Sequence, residues 1–153
     1  MDPEACNRPL TAPVKLPRKG DDMDARTPPV TVLHMDATKW ELADPRTFTG
    51  TARILRMGAA GSDPTVRIYR VAFEPGARTH WHVHSGPQLL VVVEGSCLIQ
   101  RWQGPVESAR AGDVVHIARG EKHWHGAGSD GPVTHVAINV DAETTWMEPA
   151  PRG

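Results

Sequence analysis

Residues 76–95 read GARTHWHVHSGPQLLVVVEG, and this stretch decides the fold. Successive side chains of a β-strand alternate between faces, and residues two apart share a face about 6.6 Å apart along the chain. His82 and His84 therefore turn the same way, and His80 shares their parity. Ser85-Gly86-Pro87 interrupts the run, after which Gln88 opens an aliphatic strand, Leu89 to Val93. A carboxamide oxygen arriving from that next strand is a neutral ligand for a metal ion already held by imidazoles. A histidine pair of this spacing, taken alone, is more often solvated or hydrogen-bonded than metal-bound, so its surroundings have to carry the reading.

Working outward, the chain from about Thr51 is a series of short β-rich runs: TARILRM, TVRIYRVAF, HWHVH, QLLVVV, SCLIQRW, DVVHIA, HWH and THVAINV. Residues that tolerate tight or left-handed backbone separate them, and turns are expected at Glu94-Gly95, Gly104-Pro105, Ala111-Gly112-Asp113 and Ser129-Asp130-Gly131. Regular turn spacing without a long helical period predicts an antiparallel barrel or sandwich. Within VRIYRVAF, Val66, Ile68 and Arg70 alternate imperfectly with Arg67, Tyr69 and Val71, so periodicity does not assign the inward face. Residues 1–30 carry Pro3, Pro9, Pro13, Pro17, Pro28 and Pro29 among charges, which blocks regular structure and predicts an extended arm. At 153 residues, the remainder, 31–153, has room for one β-barrel domain and one core.

Composition narrows the partners. With 17 basic and 18 acidic residues the formal net charge is -1, so no global field draws the protein to nucleic acid or to an anionic membrane. The longest aliphatic run falls far short of the ~20 residues that cross a bilayer, and MDPEACNRPL has no apolar signal core. A cytoplasmic protein with a small-molecule ligand is expected, and exposed barrel strands together with the arm suit a homodimer. The two cysteines, Cys6 and Cys97, make neither a disulfide framework nor a CxxC pair, so sulfur plays no part. Seven of the eight histidines fall between His80 and His135.

The spacing Gly76, five residues, His82-x-His84, three residues, Gln88, six residues, Gly95 is followed by Gly112, five residues, Ala118-x-Gly120, two residues, His123. That double pattern resembles the two signature motifs of the cupin superfamily. The resemblance implies an all-β, single-domain cupin, a double-stranded β-helix or jelly-roll barrel, with one divalent metal ion on His82, His84, Gln88 and His123. Two departures stand out: Gln88 replaces the usual glutamate, and Ala118 stands where proline is usual. Three imidazoles and an amide leave the ion its full double charge, which makes it a stronger Lewis acid towards a developing oxyanion or enolate. Zinc fits this role best, and manganese, nickel or iron suit the same ligand types.

In small cupins that resemble this one the histidine equivalent to His135 faces the substrate, which makes His135 the expected acid/base partner. His80 is expected as a further ligand or proton carrier, provided a bulge brings it close. Tyr69 and Asn139 are candidates for the cavity mouth, where a phenol or amide would orient a polar substrate. His116 and His125 are read as structural, and Trp81 and Trp124, of opposite parity to the ligands, as packing outside the cavity. The stretches FEPGARTHWHVHSGPQLLVVVEG and GEKHWHGA look like two groups of small cupins, hydroxynitrile-lyase-like proteins and the cyclases of bacterial aromatic polyketide pathways. The lyase-like group usually has a small residue where this chain has His80, so the expected function is polyketide cyclisation in antibiotic biosynthesis, with hydroxynitrile lyase as the alternative. An iron-dependent dioxygenase and a non-catalytic binding cupin are the remaining alternatives.

Overall fold

β-Branched residues crowd against neighbours on a pleated surface and so hold extended backbone. Wherever glycine, proline or aspartate does not interrupt them here, they form strand. The computed structural model describes residues 30–151, so the arm expected over 1–30, Cys6 included, falls almost wholly outside the described residues. In chain order the strands are β1 (Glu41–Leu42), β2 (Phe48–Thr49), β3 (Ala52–Ala60), β4 (Val66–Phe73), β5 (Arg78–Thr79) and β6 (His82–His84). There follow β7 (Gln88–Arg101), β8 (Val106–Arg110), β9 (Val114–Ile117), β10 (His123–Ala127), β11 (Val133–Val140) and β12 (Thr144–Trp146). No helix occurs among the described residues, and none is long and apolar enough to cross a membrane.

All pairings are antiparallel and fall into two sheets. The first runs β9-β7-β11-β4-β3-β1, and the second runs β8-β7-β10 and continues from β10 onto β5 and β6, with β2 on β5 and β12 on β6. Strand β7 belongs to both. Its first half pairs with β9 and β11, its second half, from Ser96 or Cys97 onward, with β8 and β10. The turn expected at Glu94-Gly95 is therefore not a chain reversal. Gly95 takes φ 75°, a left-handed conformation open to glycine at little cost, and bends one continuous strand from one sheet into the other. A Cβ there would lie 2.1 Å from the Pro132 carbonyl oxygen. Beside it, Thr134 pairs with Glu94 but His135 with Val92, so Val93 is an extra residue, a β-bulge that sharpens the bend. The turns at 104–105, 111–113 and 129–131 do separate strands.

The inward face that the sequence pattern did not assign is fixed by these ladders. On β11, Val133, His135, Ala137 and Asn139 are buried while their neighbours are not. Across β4 they pair with Phe73, Val71, Tyr69 and Arg67, and across β7 His135, Ala137 and Asn139 pair with Val92, Leu90 and Gln88. The inner surface is thus graded in rows. At the closed end Phe48, Ala52, Phe73, Val92, Cys97, Ala127 and Val133 form the apolar core, each large side chain contributing about 1.5–3 kcal/mol of burial free energy. Polarity rises along the rows towards Gln88, Asn139 and Arg67. Burial pushes the Cys97 thiol up to about 12, which keeps this sulfur a protonated core residue.

Trp81 and Trp124 pack on the outer side of the second sheet against Leu98, Met147 and Ala150, as their parity predicts. The Arg78 guanidinium stacks 4.6 Å from the Trp124 ring and donates to the Pro151 carbonyl at 2.6 Å, pinning the end of the described chain there.

Candidate metal centre

His123 on β10 lies directly opposite His82 on β6. With His84 two residues along the same strand, the three imidazoles converge, their ring centres 4.2 Å (His82–His123), 4.9 Å (His82–His84) and 5.3 Å (His84–His123) apart. Gln88 enters from the first residue of β7 and is buried. Its Nε2 donates to Asn139 Oδ1 at 2.7 Å, which turns the carboxamide oxygen Oε1 the other way. The four residues singled out by spacing therefore come from three strands to one end of the barrel.

Hydrogen bonding fixes which atoms they offer. His82 Nδ1 lies 2.8 Å from the His80 carbonyl and His123 Nδ1 lies 2.8 Å from the Glu121 carbonyl. A carbonyl only accepts, so in both rings Nδ1 carries the proton and Nε2 is a bare lone pair. His84 Nδ1 is 3.0 Å from the Thr144 hydroxyl on β12. Among the described residues, His84 Nε2, His123 Nε2 and Gln88 Oε1 are buried without any hydrogen-bond partner. Buried acceptors left unpaired are costly; on neighbouring side chains whose orientation is held from behind, they are what a metal ion satisfies.

Two histidines sit elsewhere than expected. His80 does not line the cavity: the chain breaks strand geometry at His80 and Trp81, and it is the His80 backbone carbonyl that serves the site, by holding His82. His125, read from sequence as structural, is in the site. Its ligand nitrogen lies within 4.8 Å of those of His82 and His123, and its Nδ1 is 3.1 Å from His135 Nε2. The i,i+2 parity it shares with His123 was the available signal, the same signal that picks out His82 and His84. His135 is fully buried on β11, its ring 5.3 Å from that of Phe73. His116 is exposed on β9, outside this cluster.

The cluster opens into a cavity of about 630 Å³ between the two sheets. Tyr69 and Asn139 line it, as do Phe48, Val71 and Trp146, the last with its ring 4.6 Å from that of His82. Among the described residues no carboxylate is hydrogen-bonded or ion-paired to these histidines; the acidic residues that line the cavity are Glu41, Asp44 and Glu143.

Burial holds all five histidines neutral. It lowers His84, His123 and His135 to about 4, and takes His82 and His125 well below the usual imidazole range, with neighbouring imidazoles adding to the effect for His82, His84 and His125. Because the folded values lie below the ordinary value near 6.5, the unfolded chain binds more protons between those limits. Stability of the metal-free protein is thus complete above about pH 6.5 and falls as pH drops towards 4, each such histidine adding up to ~1.4 kcal/mol per pH unit. Thermal melts of chelator-treated protein across this range check it; a melting temperature that stays flat down to pH 4 would contradict it.

The cupin domain model matches residues 69–139, from β4 through β11. An (R)-mandelonitrile lyase of Granulicella tundricola is 46% identical over 104 residues, which span 66% of this chain and 79% of that protein. A cupin-like protein of Thermotoga maritima, of known structure, superposes with a TM-score of 0.65 at 29% identity, over 80% of this chain and 92% of that one. A sugar phosphate isomerase of the cupin superfamily from Silicibacter pomeroyi gives a TM-score of 0.57 at 19% identity, over 74% and 81% of the two chains, a likeness of fold.

Proposed function

This chain belongs to the cupin family, and from that premise we propose that it is a metal-dependent lyase of the hydroxynitrile-lyase kind, which cleaves a cyanohydrin to a carbonyl compound and hydrogen cyanide. The observation that carries the metal is the set of unpartnered buried acceptors His84 Nε2, His123 Nε2 and Gln88 Oε1 beside the bare Nε2 of His82. These four residues are the proposed ligands. For His135 to accept a proton at Nδ1, its Nε2–H must donate to His125 Nδ1, which leaves the His125 proton on Nε2 and assigns the two rings to proton handling rather than to the ligand set. A bound dication supplies Lewis acidity, stabilising negative charge that develops on the substrate oxygen. The all-neutral donor set suits divalent manganese, nickel and iron as well as zinc.

The protein's own groups account for the proton. His135 is neutral and fully buried, with Nδ1 unpartnered and Nε2 against His125. It takes the cyanohydrin hydroxyl proton as the C–CN bond breaks and the carbonyl forms, and returns that proton to cyanide. Phe48, Val71, Ala137 and Trp146 give the walls an apolar surface for the rest of the substrate and exclude water from it. The relatives described above give polyketide cyclisation no support, and His80, the residue that tilted the sequence reading towards it, does not line the cavity.

Metal-reconstituted protein is expected to release benzaldehyde from (R)-mandelonitrile above the spontaneous rate, and to stop doing so once the ion is chelated. Failure of every divalent ion tried to accelerate release, or oxygen uptake by the iron-loaded protein in its place, would overturn the lyase reading.

A further inference from the structure

Two arginines on the cavity wall take no part in that chemistry. Arg67 stands in one cross-strand row with Asn139 and Gln88. Adjacent strands lie ~4.8 Å apart, so its backbone is about 10 Å across the sheet from that of Gln88. Arg56 pairs with Tyr69 one row along, its guanidinium 5.9 Å from the phenol ring centre. Arg56, Arg67 and Tyr69 all face the cavity, and Ile54, Val71 and Ala137 line the same wall on the way to His135. A ligand with its reacting end at the histidines thus crosses an apolar stretch and ends at positive charge.

The carboxylates that line the cavity already have partners of their own. Asp44 is held by Arg46, Glu41 lies 3.5 Å from Arg56, and Glu143 lies 2.9 Å from Arg67 Nη1. The last pair is unequal. Glu143 is 81% exposed while the Arg67 side chain is 36% exposed, and Nη1 is also anchored on the Ala142 carbonyl at 3.1 Å. Among the described residues Arg67 Nε and Nη2 make no hydrogen bond. Exposed ion pairs of this sort contribute little and exchange readily. A carboxylate entering from inside the cavity meets the same guanidinium in a drier place, with two further donors in fork geometry.

We propose that Arg67, backed by Arg56 and Tyr69, is a carboxylate subsite, and that the substrate is a carbonyl compound, or its cyanohydrin, bearing a carboxylate at the far end of an apolar body. The identity of the reacting end rests on the lyase reading; the acidic end does not. Binding without turnover separates the two. Calorimetric titration of the metal-loaded full chain with 4-(hydroxymethyl)benzoate and with benzyl alcohol, at low salt, is expected to favour the carboxylate on the order of tenfold. Arg67→Gln should abolish that preference and Arg67→Lys should retain part of it, with circular dichroism reporting the sheet. Glu143→Gln, at an exposed position, should tighten the carboxylate further by releasing Arg67. Equal binding of the two alcohols by the unaltered protein, a preference that survives in a folded Arg67→Gln chain, or no gain in Glu143→Gln each overturns the subsite. A protein that fails to cleave mandelonitrile yet keeps the tenfold preference loses the lyase reading alone.

Discussion

A His123→Ala chain is expected to emerge from metal loading and dialysis with no stoichiometric ion. Removing the ring deletes one unpartnered acceptor and also the neighbour whose tilted ring lies 4.2 Å from that of His82, so the remaining donors lose both a ligand and a packing constraint. Changing a group that only orients a ligand commonly weakens metal binding by roughly 10–100-fold; losing the ligand itself should exceed that. Thr144→Val, which removes the hydroxyl behind His84 Nδ1, therefore serves as the milder comparison. Elemental analysis of His82→Ala, His84→Ala, His123→Ala and His125→Ala also decides between two overlapping ligand sets. If the ion rests on His82, His84, Gln88 and His123, the His125→Ala chain keeps it and the His84→Ala chain does not. The reverse pattern would place it on the cluster of His82, His123 and His125, and full metal in all four would remove the centre altogether.

What the sequence made legible was whatever depends on strand parity within one run. His82 and His84 two apart, Gln88 at the head of the next strand and the outward Trp81 all follow from a period of two. His123 could be tied to them through the spacing of the second motif, and its register opposite His82 supplies the physical reason. Contacts set by the long-range ladder were beyond reach. Nothing in HWHGA by itself says that His125 meets His135, ten residues away on a strand that it does not pair with. Gly95 carried an ambiguous signal: positive φ serves a hairpin and a bulged bend equally well, and only Pro132 pressing on it from β10–β11 explains the bend. The polar run VESAR carries no apolar alternation, because an edge strand needs no apolar face; β8 is strand through its ladder to β7. His80 misled because parity assumes an unbroken strand, and the chain departs from strand at His80-Trp81.

The His135→Ala chain should keep its metal and lose its turnover, by about 10²–10⁴-fold if the residue is the general base. His135 sits on β11 in the first sheet, whereas the three histidine ligands proposed here sit on β6 and β10 in the second, so its removal leaves their hydrogen-bonded orientation intact. The substitution also opens space beside Phe73 and Val71 and leaves His125 Nδ1 without its partner, so some stability will go with it. His135→Asn separates these effects, since an amide fills much of the volume and keeps a polar contact with His125 but cannot accept a proton at neutral pH. If Asn restores the melting temperature without restoring the rate, proton transfer is what was lost. If it restores the rate, His135 shapes the cavity and the base lies elsewhere, with His125 next in line. And if both variants shed their metal while circular dichroism still reports an intact sheet, His135 belongs to the ligand set, and His125 is again next in line as the base.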